Sequence, residues 1–159
     1  KQVDVLRQEA IAPLEQKKGP LPGAIFREIE KITEPAMRSL IKRADRIEST
    51  LADLEKLQNE DLKSIRARDW HELTKANEAK NLALLSMATF RSALEREESR
   101  HSHYRQDFPY KDNQNWLKWV YIKQNADKEL KVRIDALPFD RYQVKPEKRG
   151  KVPSNVKFD

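Results

Sequence analysis

Apolar residues recur at helical spacing along the first hundred positions, and the places where the recurrence stops divide that stretch into helices. Across residues 2–17, Val3, Leu6, Ala10, Leu14 and Lys17 step by three and four, the spacing of one face of a short amphipathic helix. Pro13 is its expected boundary, since proline removes an interior donor and crowds the preceding turn. Gly19-Pro20-Leu21-Pro22-Gly23 then breaks the helix. A second helix is predicted to start near Ala24, with Phe26, Ile29 and Ile32 on one stripe. Pro35 disfavours the α conformation at Glu34, and Thr33 is placed to cap a new helix with Pro35 in its first turn.

From Asp45 onward Ile47, Leu51, Leu54, Leu57, Leu62 and Ile65 form a core-facing stripe with charged residues opposite. Asp69-Trp70-His71-Glu72 has the form of a capping box, in which Asp69 accepts the N–H of Glu72. Trp70, Leu73, Ala76, Leu84, Met87, Phe90 and Leu94 continue one face to about Glu97, which predicts a helix of about 42 Å. One apolar stripe per helix and short links predict a mainly α fold. Its expected form is an antiparallel, spectrin-repeat-like bundle of about three main helices over residues 1–100.

The period changes after Arg100. Trp116 to Ile122 is aromatic and β-branched, and Leu130, Val132 and Ile134 alternate with Lys131 and Arg133. Gln124-Asn125-Ala126-Asp127 supplies turn chemistry between the two runs, so a β-hairpin is predicted. A two-stranded hairpin is marginal by itself and must pack on something. Residues 137–159, with Pro138, Pro146, Gly150 and Pro153, read as an extended basic tail. Residues 101–159 are therefore expected to add a loop, a hairpin and a tail to the same domain.

Composition narrows the chemistry. Of 159 residues 38% are hydrophobic and 36% charged, which suits a small helical bundle whose helices face water on one side. With no cysteine, disulfides, thiolate metal sites and iron–sulfur ligation are excluded within the chain. No run approaches the roughly 18 apolar residues of a membrane span, so direct membrane insertion is not expected. The start at Lys1 rather than Met is expected of a piece of a longer protein. The net charge of +6 is uneven: residues 1–100 hold 19 Lys/Arg against 18 Asp/Glu, and 101–159 hold 13 against 8. A second functional class follows from this, a stand-alone helical binding module that sets its basic tail on nucleic acid or an acidic protein surface. No DNA- or RNA-reading motif accompanies the charge, and nucleic acid is not the expected partner.

Catalytic motifs are missing. Three glycines, none in a G-x-G-x-x-G or P-loop pattern, leave no phosphate cradle. Neither a nucleophile elbow nor H-E-x-x-H is present. His101 and His103 form an H-x-H pair without a spaced third ligand, so no metal site is assigned. The many helical carboxylates are solvated faces from which no general acid/base pair stands out.

Residues 98–116 read E-S-R-H-S-H-Y-R-Q-D-F-P-Y-K-D-N-Q-N-W. Arg100 and Arg105 are placed to fork onto carboxylates, and Asp107 and Asp112 flank the Phe108-Pro109 turn. A cluster this polar and aromatic is costly unless its groups satisfy one another or a neighbouring surface. The string resembles the C-terminal domain of the succinate dehydrogenase and fumarate reductase flavoprotein subunits, a family that includes L-aspartate oxidase and the α subunit of adenylylsulfate reductase. There a long helix runs into a pattern close to E-S-R-G-A-H-Y-R-x-D-[FY]-P-x-R-D-D-x-x-W. Glu98, Ser99, Arg100, His103, Tyr104, Arg105, Asp107, Phe108, Pro109, Asp112 and Trp116 match it. His101-Ser102 replaces Gly-Ala, Lys111 and Asn113 alter R-D-D, and Trp119 stands where succinate dehydrogenases often have His.

The resemblance implies a flavin-dependent oxidoreductase whose FAD and catalytic residues belong to other domains of the parent chain. It assigns no catalytic, cofactor-binding or metal-binding residue here, and marks the eleven matching residues as a docking and stabilising motif. The partners it implies are the FAD-binding domain of the same polypeptide and an iron–sulfur subunit. It implies a cytoplasmic place, with membrane association through partner subunits.

Overall fold

The computed structural model describes residues 2–34, 39–144 and 151–153. Four helices lie among them: α1 (Gln2–Glu15), α2 (Pro22–Thr33), α3 (Ala44–Asn59) and α4 (Trp70–Glu95). The strands are short: β1 (Ile41–Lys42), β2 (Tyr104–Arg105), β3 (Tyr110–Lys111), β4 (Lys118–Gln124), β5 (Leu130–Ala136) and β6 (Val152–Pro153). The fold is thus mainly α with a small amount of sheet, as the periodicity predicts. Its compact units do not follow chain order. Lys1–Pro35 and Thr50–Met87 form one, and Ala36–Ser49 and Ala88–Asp159 form the other.

The first unit is built on aliphatic stripes. Ile25, Ile29 and Ile32 of α2, Leu51, Leu54 and Leu57 of α3, and Leu73 and Met87 of α4 are buried. Each large aliphatic side chain removed from water stabilises by roughly 1.5–3 kcal/mol. On α4 the buried ladder runs through Ala76, as expected, and also through Ala79 and Ala83, two alanines outside the predicted face. The capping box forms as predicted: Asp69 Oδ1 accepts the Glu72 N–H at 2.8 Å. Glu72 reaches back to the Arg68 N–H at 2.9 Å, one residue earlier than the standard box.

Several boundaries differ from the sequence reading. α1 keeps Pro13 inside its last turn and ends at Glu15. Its Val3 and Leu6, on the apolar face of the predicted amphipathic helix, stand in solvent. α2 begins at Pro22 rather than Ala24, because a proline in the first turn gives up only an N–H that has no helical partner. Leu62 and Ile65 are buried, but they lie on the turns beyond Asn59 rather than on the helix. α4 stops two residues short of Glu97, and its buried ladder starts at Leu73, leaving Trp70 exposed. The cap assigned to Thr33 and Pro35 involves a residue outside the described set, as do Pro146 and Gly150 of the tail.

Gly19 fixes the link between α1 and α2. Its φ is +131°, and a Cβ there would stand 1.8 Å from the Ser64 carbonyl oxygen. The Arg66 guanidinium donates to the Gly19 carbonyl at 3.0 Å, the Arg66 N–H to Pro20 O at 3.1 Å and the Ala67 N–H to Pro13 O at 2.7 Å. Gly19→Ala forces that seam apart and is expected to cost about 2 kcal/mol in urea unfolding. An unchanged midpoint would show that the seam is not a tight contact.

In the second unit β1 and β2 pair in parallel, with Ile41 opposite Tyr104 and Lys42 opposite Arg105. The hairpin forms with β4 antiparallel to β5, and Val120 faces Ile134 and Ile122 faces Val132 on its aliphatic side. Asn125 closes the turn, its side-chain oxygen accepting the Glu129 N–H at 2.8 Å. β4 starts at Lys118 rather than at Trp116, whose N–H is already committed to Asp112 O at 2.8 Å. The expected extended tail contains a 3₁₀ turn at Phe139–Arg141, and its Val152–Pro153 pairs antiparallel with Tyr110–Lys111.

Candidate functional site

The last carbonyls of a helix have no partner within it, and at α4 the chain returns to supply one. Arg105 is 1% exposed, and its Nη1 donates to Ala93 O at 2.7 Å, Leu94 O at 2.8 Å and Arg96 O at 3.3 Å. A buried cation at a helix C-terminus also meets the negative end of the helix dipole. The other edge of the guanidinium forks onto Asp107, Nε to Oδ1 at 2.8 Å and Nη2 to Oδ2 at 2.7 Å. Asp107 Oδ2 in turn accepts the Ala44 N–H at 3.0 Å, which caps the start of α3. One ion pair therefore serves the carbonyl end of α4 and the amide end of α3. Partial burial opposes ionisation of Asp107, but the Arg105 guanidinium and the Ala44 amide outweigh it and hold the carboxyl below its ordinary range.

Ser99, 1% exposed, pins the loop that delivers Arg105. Its hydroxyl accepts the Arg105 N–H at 2.9 Å and lies 2.8 Å from Phe108 O and 3.1 Å from Arg105 O, either of which takes its single proton. The Phe108 ring lies 5.0 Å from the Arg105 guanidinium, a cation–π contact. Pro109 follows as a half-buried turn residue, and Tyr104 is half-buried on β2.

A second cluster forms around Glu98, which is fully buried. Arg100 forks onto it, Nε to Oε1 at 2.8 Å and Nη2 to Oε2 at 2.9 Å, and Arg96 Nη1 donates to Oε1 at 2.7 Å. The Asp112 N–H completes the carboxylate's partners at 2.9 Å. Arg100 Nη2 also donates to Asn113 Oδ1 at 2.8 Å. Arg96 stacks 5.3 Å from the Trp116 ring and donates to Lys118 O at 2.7 Å, so it joins the motif to the start of the hairpin. Asp112 accepts the Asn115 N–H and side-chain amide at 3.0 and 2.9 Å. Burial works against its ionisation, yet these bonds and the charge of Lys151 hold its carboxyl below the usual range.

The turn between the clusters is Arg100-His101-Ser102-His103. Arg100 and His103 exchange backbone bonds of 2.7 and 2.9 Å, and His101 at the tip has φ +51°. That left-handed position is the one where the resembled family carries glycine, and histidine is among the side chains that tolerate it. His103 Nε2 lies 3.3 Å from Arg96 O, so Nε2 carries the proton and donates it to that carbonyl. Burial, then the charges of Lys42, Arg96 and Arg105, lower its pKa to about 4 against the raising effect of that bond. An unfolded histidine titrates near 6.5, so between the two values the unfolded chain holds a proton that the folded chain lacks. The contribution is complete above about pH 6.5 and is lost as pH falls towards 4. Roughly 2–3 kcal/mol of stability is expected to disappear over that window. Urea unfolding at stepped pH measures it, and His103→Gln removes that slope; a slope unchanged in the variant would exonerate the imidazole.

All eleven motif residues thus lie in or beside one network. Around Arg100–Asp112 the side chains of His101, Ser102, Gln106, Asp107, Tyr110 and Lys111 stay exposed, while Glu98, Ser99, Arg105 and Asp112 turn inward. The sequence reading missed Arg96, although a cation two residues before Glu98 was its available signal. No group of three His, Asp or Glu side chains that would hold a metal occurs among the described residues.

The family described as fumarate reductase flavoprotein C-term matches residues 27–151. The chain belongs to that family. Its fold is similar to the FrdA chain of E. coli quinol fumarate reductase, with TM-score 0.79 and 19% identity over 92% of this chain and 26% of that one. A quinol–fumarate reductase chain solved with menaquinol gives TM-score 0.77 and 20% identity over 91% and 26%. A chain of the Mycobacterium smegmatis Sdh1 complex in the apo form gives 0.70 and 20% over 84% and 23%. At these identities the matches speak for the fold, and this chain spans about a quarter of the chains it matches.

Proposed function

We propose that this chain is the C-terminal structural and docking domain of an FAD-dependent oxidoreductase flavoprotein subunit of the fumarate reductase or succinate dehydrogenase type, with no chemistry of its own. The observation that carries the reading is the inward network. The charged groups of the family motif are engaged with one another and with helix ends, which suits a rigid support rather than a reacting surface.

FAD in the parent follows from the flavoprotein family, and the described residues of this chain do not fit it. A dinucleotide needs glycines that let backbone amides approach the pyrophosphate. Gly19 lies against Ser64 O, and Gly23 sits inside α2 with Arg27 beside it. The flavin site is assigned to another domain of the same polypeptide, and that domain is the first partner. An iron–sulfur subunit is the second, and association with a membrane would run through such partners. Among the described residues no helix is long and apolar enough to cross a membrane.

The test is direct. The 159-residue chain, mixed with excess FAD and passed over a desalting column, is expected to emerge without flavin absorbance and with an unshifted melting temperature. Stoichiometric retention of FAD would overturn the division of labour.

A further inference from the structure

We propose that two copies of this chain pair along the free edge of β4, joining their hairpins into one four-stranded antiparallel sheet about a two-fold axis at Tyr121. A two-stranded sheet is marginal in water and gains stability from a third strand or a covering layer. Neither β4 nor β5 holds a buried residue. Among the described residues the two strands pair with each other and with no further strand.

The ladder decides which backbone groups of β4 face outward. In an antiparallel pair, residues that exchange N–H···O bonds alternate with residues that do not. The Leu137 N–H donates to Leu117 O at 3.0 Å just before β4, and the Asn125 N–H donates to Glu129 O at 2.9 Å just after it. In this register Trp119, Tyr121 and Lys123 therefore bond β5, and the backbone groups of Lys118, Val120, Ile122 and Gln124 point away from it. Arg96 marks the outer side, since its Nη2 reaches Lys118 O at 2.7 Å. Among the described residues nothing bonds the outward N–H and C=O of Val120 and Ile122.

The side chains of β4 complement a second copy of themselves. An antiparallel partner centred on Tyr121 sets Val120 opposite Ile122 of the other copy, twice, and each pair exchanges two of the free backbone bonds. Trp119 meets Lys123 of the other copy, an ammonium on an indole face, and Tyr121 meets its own counterpart. Trp119 and Tyr121 are 43% and 39% exposed and already in edge contact at 6.1 Å, so the pairing extends one aromatic row across the axis. Edge lysines usually oppose strand addition. Here Lys123 lands on a ring and Lys118 faces the neutral Gln124, so no like charges stand opposite each other. The matching register on β5 sets Arg133 against Arg133, which makes β4 the edge that closes on itself. Such an isologous contact stops at two copies, because each has spent its open β4 edge.

Sedimentation velocity of the 159-residue chain is expected to show a monomer at low micromolar and a dimer at high micromolar concentration. In Trp119→Lys the new ammonium faces Asp135 within its own hairpin but Lys123 of the other copy across the axis. That variant is expected to fold and to dimerise more weakly by roughly tenfold. Adding Lys123→Glu restores opposite charges across the axis and is expected to recover the dimer. Register is read separately. The chain has no cysteine, so Tyr121→Cys is expected to cross-link to its counterpart under mild oxidation, and Arg133→Cys to stay uncrosslinked under the same conditions. A monomer at every concentration, a dimer indifferent to Trp119→Lys, a double variant that stays monomeric, or preferential cross-linking through Arg133→Cys would each overturn the proposal.

Discussion

Replacing Arg105 with methionine is expected to destabilise the chain by about 3–5 kcal/mol, because the Ala93, Leu94 and Arg96 carbonyls lose a buried donor at about 1–3 kcal/mol for each group left unsatisfied. Methionine fills much of the volume, so the loss is mainly polar. The C-terminal carbonyls of α4 lose their donor, and Asp107 is left with the Ala44 N–H. In a chain of this size that corresponds to a fall in melting temperature of about 10 °C. Arg105→Lys is expected to recover less than half of it. An ammonium cannot fork onto Asp107 and cap the helix at once, because the two sets of acceptors lie on different edges of the guanidinium. Equilibrium urea unfolding of the three proteins measures both effects. A methionine variant within 1 kcal/mol of wild type, on the order of an ordinary surface substitution, would remove Arg105 from the account.

Glu98→Gln is expected to cost slightly less, about 2–4 kcal/mol. Glu98 is fully buried and sits between two guanidinium groups, so the amide puts an N–H donor where Arg96 or Arg100 already donates. The Asp112 N–H keeps an acceptor only if the amide oxygen turns towards it. The cost is lower than at Arg105 because glutamine keeps a polar side chain of the same shape, with one acceptor, in the same place. Loss of order should spread to the hairpin through Arg96, which bonds Lys118 O and stacks on Trp116. Faster amide exchange at the base of β4 would report it. Unfolding data that show Glu98→Gln as stable as wild type would mean that the two arginines need no anion there.

The parts of this structure legible in the sequence are those set by local rules. The 3.6-residue period located α4, Asp69 and Glu72 marked its start, and alternation with a polar turn marked the hairpin. Arg100 and Arg105 were expected to fork onto carboxylates, and each does so on an acid two residues away, Glu98 and Asp107. What no period encodes is where the other edge of the Arg105 guanidinium goes. Its bonds to α4 and the Asp107 bond to Ala44 join segments 11 to 63 positions apart. The same applies to the pairing of Val152–Pro153 with β3, two residues with no strand signal. Val3, Leu6 and Trp70 lie on apolar stripes and yet stay exposed for a related reason. An apolar stripe states what a helix can cover and is silent on whether anything covers it.

Arg105 and Asp107 act as one clip between the end of α4 and the start of α3. A double-mutant cycle on Arg105→Met and Asp107→Ala, read by equilibrium urea unfolding, tests it most directly. If the clip is one unit, the double variant loses less than the sum of the single losses by about 2 kcal/mol. Losses that simply add would mean the two residues act independently, and the clip would not exist.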